Sequence, residues 1–144
     1  MTNISQLAIF TPVLLLIMLT MLVWFYLYVR RLNWILSERI DPQTFALRNS
    51  GADPGPPSVQ SPANNFLNLL ELPLIFYVVC GYLYATSQVD GIYLLLAWLF
   101  VATRAVHSLI QCTANRVTYR FYAYSAGGLV LWTMVVRAAW QLWA

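Results

Sequence analysis

Three short segments set side chains capable of chemistry inside otherwise apolar runs. NNFLNLLELP places Asn64, Asn68 and Glu71 at spacings of four and three. RAVHSLIQ places Arg104, His107 and Gln111 at spacings of three and four, and RVTYRFYAY places Arg116, Arg120 and Tyr124 at four and four. On helices, each trio shares one face. A carboxylate, several guanidinium groups, an imidazole, a phenol and amides can together hold an anion or a dipole, and a cation beside a thiol favours its thiolate. Ionisable groups inside a membrane are costly and mark sites by default. A plainer reading is that a Glu71–Arg104 pair with Asn68 joins helices in a medium that gives no hydrophobic drive between them. That reading accounts for Glu71 and Arg104 but leaves Arg120, His107 and Tyr124 over. His107 taken alone reads as a structural histidine. Cys80 and Cys112 lack CxxC or metal-ligand spacing and read as packing residues, so no metal is expected.

The elements that position these residues follow from composition. The 144 residues are 60% hydrophobic, 15% aromatic and 9% charged, with a mean hydropathy of +0.65, far from soluble usage. The expected class is an all-α membrane protein, a single four-transmembrane-helix bundle with helices at about 7–31, 64–86, 92–112 and 119–143 and a loop at about 32–63. Each run reaches the ~20 residues a membrane-crossing helix needs, and no alternating strand pattern occurs. No Lys is present, and the +3 net charge is dispersed over Arg residues, which argues against nucleic acid as a partner. MTNISQ carries no positive charge and the first apolar run is too long for a signal-peptide core, so the first helix is expected to remain.

Orientation is expected from Arg30, Arg31, Arg39 and Arg48 in the first connection and Arg116 and Arg120 in the third, against none in the second, SQVDG. The positive-inside rule puts those two connections in the cytoplasm and both termini on the non-cytoplasmic side. Arg137 is expected to snorkel among Trp132, Trp140 and Trp143. In the first connection GADPGPPSVQSP reads as an irregular loop, whereas Asp41 and Pro42 can open a short interfacial turn. Pro73 is expected to kink the second helix. Glu71, Arg104, His107 and Arg120 all fall within a turn or two of the cytoplasmic ends of their helices. At matched depth a carboxylate and two guanidinium groups can pair, so one converging cluster, with Glu71 on Arg104, is expected.

NLLELP, RAVH and the Arg120–Tyr124 pair, carried on four helices with a long polar first connection, resemble the MAPEG family, the membrane-associated proteins in eicosanoid and glutathione metabolism. The resemblance spans the chain and implies a divergent bacterial-type member, set in the inner membrane. It also implies a homotrimer that binds glutathione between subunits near the cytoplasmic face and meets lipophilic electrophiles or hydroperoxides arriving from the membrane lipids. The family frame in helix two, Arg, two residues, Arg, Asn, two residues, Glu, is met here by Asn64, Leu67, Asn68 and Glu71, so Asn and Glu match and both Arg are absent. Arg104 and His107 match an Arg, two residues, His frame in helix three, and Gln111 stands for a Tyr one turn on. Arg120 corresponds to the Arg that holds the glutathione thiolate and Tyr124 to the Tyr four residues later, while Phe121 replaces a frequent Ser. Arg31, or Arg30, stands for a cation at the end of helix one.

The missing forks matter, because Arg binds carboxylates bidentately and glutathione carries two. Two readings therefore stand. One is a glutathione- or thiol-dependent transferase or peroxidase, with Arg120 and Tyr124 catalytic and Asn64, Asn68, Glu71, Arg104, His107, Gln111, Arg116 and Arg31 binding ligand. The other is a non-catalytic protein of the same fold that binds a lipid or serves as an accessory subunit. A bis-His haem bundle needs a second His, and a quinone-linked thiol oxidoreductase needs CxxC. A small drug antiporter would be expected to carry its Glu in the first helix. The chain offers none of these.

Overall fold

The computed structural model describes residues 4–45 and 55–143, and every regular element among them is helical. Helix α1 is Phe10–Ser37, α2 is Pro57–Ala85, α3 is Gly91–Cys112 and α4 is Val117–Trp143, with short 3-10 turns at Gln6–Ile9 and Pro42–Phe45. The connections after α2 and α3 are short, so consecutive helices pack antiparallel; α1 lies on α2 and α3, and α4 on α3 and α2. Along the bundle axis Leu16, Leu69, Phe76, Phe100, Leu131 and Met134 are fully buried. Outward, Leu14, Met18, Leu22, Leu74, Val78 and Leu95 are exposed, a pattern that only an apolar solvent accommodates.

By length and composition α1, α2 and α3 are able to cross a membrane. Even the shortest, the 22 residues of α3, extends for roughly 33 Å at ~1.5 Å per residue, against a hydrocarbon core of ~30 Å. The fourth helix, expected as a further span, has 27 residues but is less apolar, because Tyr, Ser, Gly and Thr dilute it and Arg120 and Arg137 lie within it.

The expected irregular stretch GADPGPPSVQSP is corrected in its second half. Helix α2 starts at Pro57 and runs through Pro62 and Pro73 without interruption. Pro57 takes the first helical position, where no N–H is needed, and Pro56 is extended, as a residue before Pro prefers. Pro62 cannot donate to the Ser58 carbonyl one turn back, and Arg30 Nε does so instead at 3.2 Å. Gly55, at φ +89°, packs against the Trp34 ring with no room for a Cβ. The turn at Asp41 forms, its carboxylate accepting from Gln43 N at 2.9 Å. The remainder of that segment, Arg48 included, lies outside the described residues.

At the opposite end of the bundle Asp90 caps α3, accepting from Ile92 N and Tyr93 N. Arg137 does not snorkel free. It reaches back across to Asp90 with Nη1–Oδ1 at 3.0 Å and Nη2–Oδ2 at 2.5 Å, and lies 4.1 Å from the Tyr93 ring centroid. This is the one ion pair found among the described residues. Gln6 joins the same end by donating to Val89 O and accepting from Val89 N.

Candidate functional site

A cavity of about 320 Å³ opens between α2, α3 and α4 at the Arg-rich end, lined by Asn64, Asn68, His107, Gln111, Arg120 and Tyr124 with Val117 and Phe121. Two members of each polar trio anticipated from spacing thus meet around one space. Asn68 Nδ2 donates to Gln111 Oε1 at 3.0 Å and lies 3.3 Å from His107 Nε2. His107 Nδ1 sits 3.0 Å from the Arg120 carbonyl and Nε2 sits 2.8 Å from Gln111 Oε1. A carbonyl only accepts, so Nδ1 carries a proton. A charged His107 then also donates to Gln111 Oε1, whereas a neutral one accepts at Nε2 from the Gln111 amide turned end for end. His107 is engaged on both nitrogens, the structural role that it has by itself.

Arg120 donates from Nη1 to Asn115 Oδ1 at 3.0 Å, which leaves its other donors for the cavity. Asn115 is held in turn by donating to Ser61 Oγ at 2.9 Å. It occupies a left-handed turn at φ 45° between α3 and α4, a conformation that Asn accepts more readily than most residues. Asn65 and Ser108 form a second layer, Ser108 Oγ donating to Asn65 Oδ1 at 3.2 Å while Asn65 Nδ2 reaches Cys112 Sγ at 3.4 Å. Asn65, Ser108 and Asn115 were not singled out in the sequence. The consecutive Asn pair at 64–65 signals the first, and an Asn in a four-residue helix connection signals the last.

The expected Glu71–Arg104 pair does not form. Arg104 is 1% exposed and points at α4, where Nη2 donates to the Tyr124 carbonyl at 2.8 Å. Its guanidinium lies 4.7 Å from the Tyr124 ring centroid and 5.3 Å from that of Phe100. Nε and Nη1 are buried without a hydrogen-bond partner among the described residues. Glu71 is on the outward side of α2, exposed, and accepts from the Tyr124 hydroxyl at 3.4 Å. Tyr124 therefore stands between the two groups expected to touch. Gly127 makes this possible, since a Cβ there would lie 2.5 Å from Arg104 Nη2.

Two further candidates are not brought to the cavity. Arg116 precedes the first residue of α4, so helical spacing does not carry it onto the Arg120 face, and it lines a groove on the other side of α3 and α4. Arg31, at the end of α1, lies 5.7 Å from the Phe45 ring centroid.

A family model, MAPEG family, matches residues 9–140 of this chain. The chain belongs to the MAPEG family. No curated protein and no solved structure matches it. As a MAPEG protein with three helices able to cross a bilayer it is an integral membrane protein. The MAPEG resemblance read from NLLELP, RAVH and the Arg120–Tyr124 pair thus holds over most of the chain. Of the residues that carried it, Asn68, His107, Arg120 and Tyr124 line the cavity, Glu71 flanks it through Tyr124, and Arg104 lies behind Tyr124.

Proposed function

We propose that this MAPEG protein is a thiol-dependent enzyme of the bacterial inner membrane that presents a peptide-like thiol, with glutathione as the first to test, to lipophilic electrophiles or hydroperoxides. The observation that carries the reading is that Arg120, with donors to spare, lines one small cavity together with the Tyr124 phenol and three carboxamides. The volume is at the lower end of ligand pockets. Asn64, Asn68 and Gln111 offer amide donors and acceptors suited to peptide bonds and to single-point contacts with a carboxylate. Arg120 stabilises a thiolate by its charge, and Tyr124, turning its one O–H from the long contact with Glu71, donates a hydrogen bond to the same sulfur or to the oxygen that develops on the electrophile. Glu71 and Asn68 receive an ammonium or amide group. The bound thiol supplies the nucleophile. The tripeptide's fit is incomplete, because one lining guanidinium faces two carboxylates, and the thiol is therefore held more weakly than by a site with three Arg.

The active form is inferred to be a homotrimer. On α2, Leu67, Glu71, Leu74 and Val78 are spaced four, three and four, and the three apolar members are 45%, 62% and 65% exposed. That is a seam suited to helix association, and it leaves Glu71 facing outward where another copy can cover it. The second reading, a non-catalytic lipid-binding or accessory protein, is favoured by one observation: Asn64 and Leu67 stand where the family frame has Arg.

The test is thiol conjugation by the purified protein with glutathione and a lipophilic electrophile, alongside calorimetric titration of glutathione. Turnover that falls about 100-fold or more in Arg120→Ala, the scale of losing one preorganised oxyanion donor, supports the enzyme. Absence of both binding and turnover in the intact protein removes it and leaves the second reading.

A further inference from the structure

Arg116 was singled out by its spacing and is not absorbed by the cavity. It closes one end of a groove of about 750 Å³ on the opposite face of α3 and α4, whose walls include Val106, Leu109, Ile110, Tyr119 and Tyr122. This groove shares no residue with the Arg120 cavity. Its apolar wall is open, Val106 being 51% and Leu109 66% exposed, and its aromatic wall likewise, with Tyr119 at 62% and Tyr122 at 63%.

Three features define the occupant. First, the Arg116 guanidinium makes no hydrogen bond, ion pair or ring contact among the described residues, and no acidic side chain lines the groove. Secondly, the polar end lies at interface depth, since Arg116 is four residues beyond the end of α3, a helix able to span the membrane. Tyr119 follows about one turn on and Tyr122 nearly two, as in an aromatic belt. Thirdly, Val106, Leu109 and Ile110 run from that end toward the membrane interior along α3. A cation at the mouth and, beyond it, phenols on α4 facing an apolar wall on α3 match a phosphate followed by the ester and acyl part of a lipid.

We infer that this groove is a binding site for an anionic glycerophospholipid, with the lipid phosphate on Arg116 and an acyl chain along Val106, Leu109 and Ile110. Anionic rather than zwitterionic lipid is selected because the groove has no carboxylate to receive a headgroup ammonium. Free phosphate is a poor occupant, as it leaves the apolar wall unfilled. The site is separate from the proposed thiol chemistry, and either can fail without the other.

The experiment uses the full chain, delipidated in neutral detergent, with phosphatidylglycerol, phosphatidylcholine or inorganic phosphate added. Bound lipid is counted by native mass spectrometry, and thermal unfolding is followed in parallel. Wild-type protein should retain phosphatidylglycerol over phosphatidylcholine by about fivefold, the fold-change of one Arg at a charged interface, about 1 kcal/mol. Arg116→Gln should abolish the preference, Arg116→Lys should keep part of it, and Arg120→Ala, on the other face, should keep all of it. Leu109→Trp should reduce retention of both lipids by filling the channel. Equal retention of the two lipids by wild type, a preference that survives Arg116→Gln, or stabilisation by inorganic phosphate equal to that by phosphatidylglycerol would overturn the inference.

Discussion

Buried Arg104 shows how one side chain is accommodated when its expected counter-ion is elsewhere. Its charge is answered by the Tyr124 carbonyl at 2.8 Å and by two aromatic faces, interactions that are worth more when desolvated. The arrangement depends on the missing side chain of Gly127. A methyl group at that position would meet Arg104 Nη2 at 2.5 Å and Thr103 Oγ1 at 2.6 Å, and Thr103 is already committed to the Phe100 carbonyl. Gly127→Ala is therefore expected to cost about 1–3 kcal/mol, the range for overpacking a filled interior. At Gly128 the nearest atom is Leu72 Cδ1 at 3.9 Å, ordinary contact, and Gly128→Ala is expected to be neutral or slightly stabilising. Thermal unfolding of both variants in one detergent checks this, and equal midpoints would contradict the steric account.

At the scale of elements, α3 and α4 are fastened at one end by polar groups around the cavity and at the other by Asp90 and Arg137. The Arg137 hydrogen bond holds the Asp90 carboxyl below its ordinary range, aided by the N–H of Tyr93 and Ile92 and opposed by partial burial. A depressed folded value means that the contribution is fully present above the unfolded value of about 3.9 and is lost as pH falls through the lower folded value. The unfolding midpoint should accordingly fall on acidification below about pH 4. Asp90→Asn, which keeps a capping oxygen, should lose about 0.5–1 kcal/mol at neutral pH, the scale of a partly exposed pair, and should show a smaller fall in acid. Asp90→Ala should lose about 1 kcal/mol more through the cap. A midpoint with the same acid dependence in wild type and Asp90→Asn would assign the effect to other carboxylates.

For the molecule as a whole, the exposed seam on α2 is the feature that a monomer in lipid does not explain, because Glu71 lies on it among Leu67, Leu74 and Val78. A homotrimer should give a native mass of three times 16.5 kDa, and Leu74→Arg should lower it to that of a single chain while leaving helix content intact. A trimer unchanged by Leu74→Arg would place the contact on another face. Sidedness is tested separately: a reporter enzyme active only outside the cytoplasm, fused at the C-terminus, should be active, as the Arg distribution requires.

Much of this was legible in the sequence. Composition alone set the solvent as lipid, because chains this apolar and this poor in charge cannot cover themselves with polar surface. Run lengths gave the helix number, and three- and four-residue spacings identified faces that do meet around a cavity. Sequence did not reach the helical start at Pro57, since the donor that compensates Pro62, Arg30, comes from another helix. It also missed Asn115, whose role is to hold Arg120.

Spacing fixes which residues share a face of one helix. It does not fix how far that helix is rotated about its own axis against its neighbours, and that rotation is decided by packing. Gly127 leaves the space in which Arg104 packs on α4, and Glu71 meets Tyr124 instead of Arg104. The turn at Asn115 leaves Arg116 outside α4, so it lines the far groove instead of the cavity. Arg137, expected among tryptophans, finds Asp90 because α3 begins where the antiparallel α4 ends.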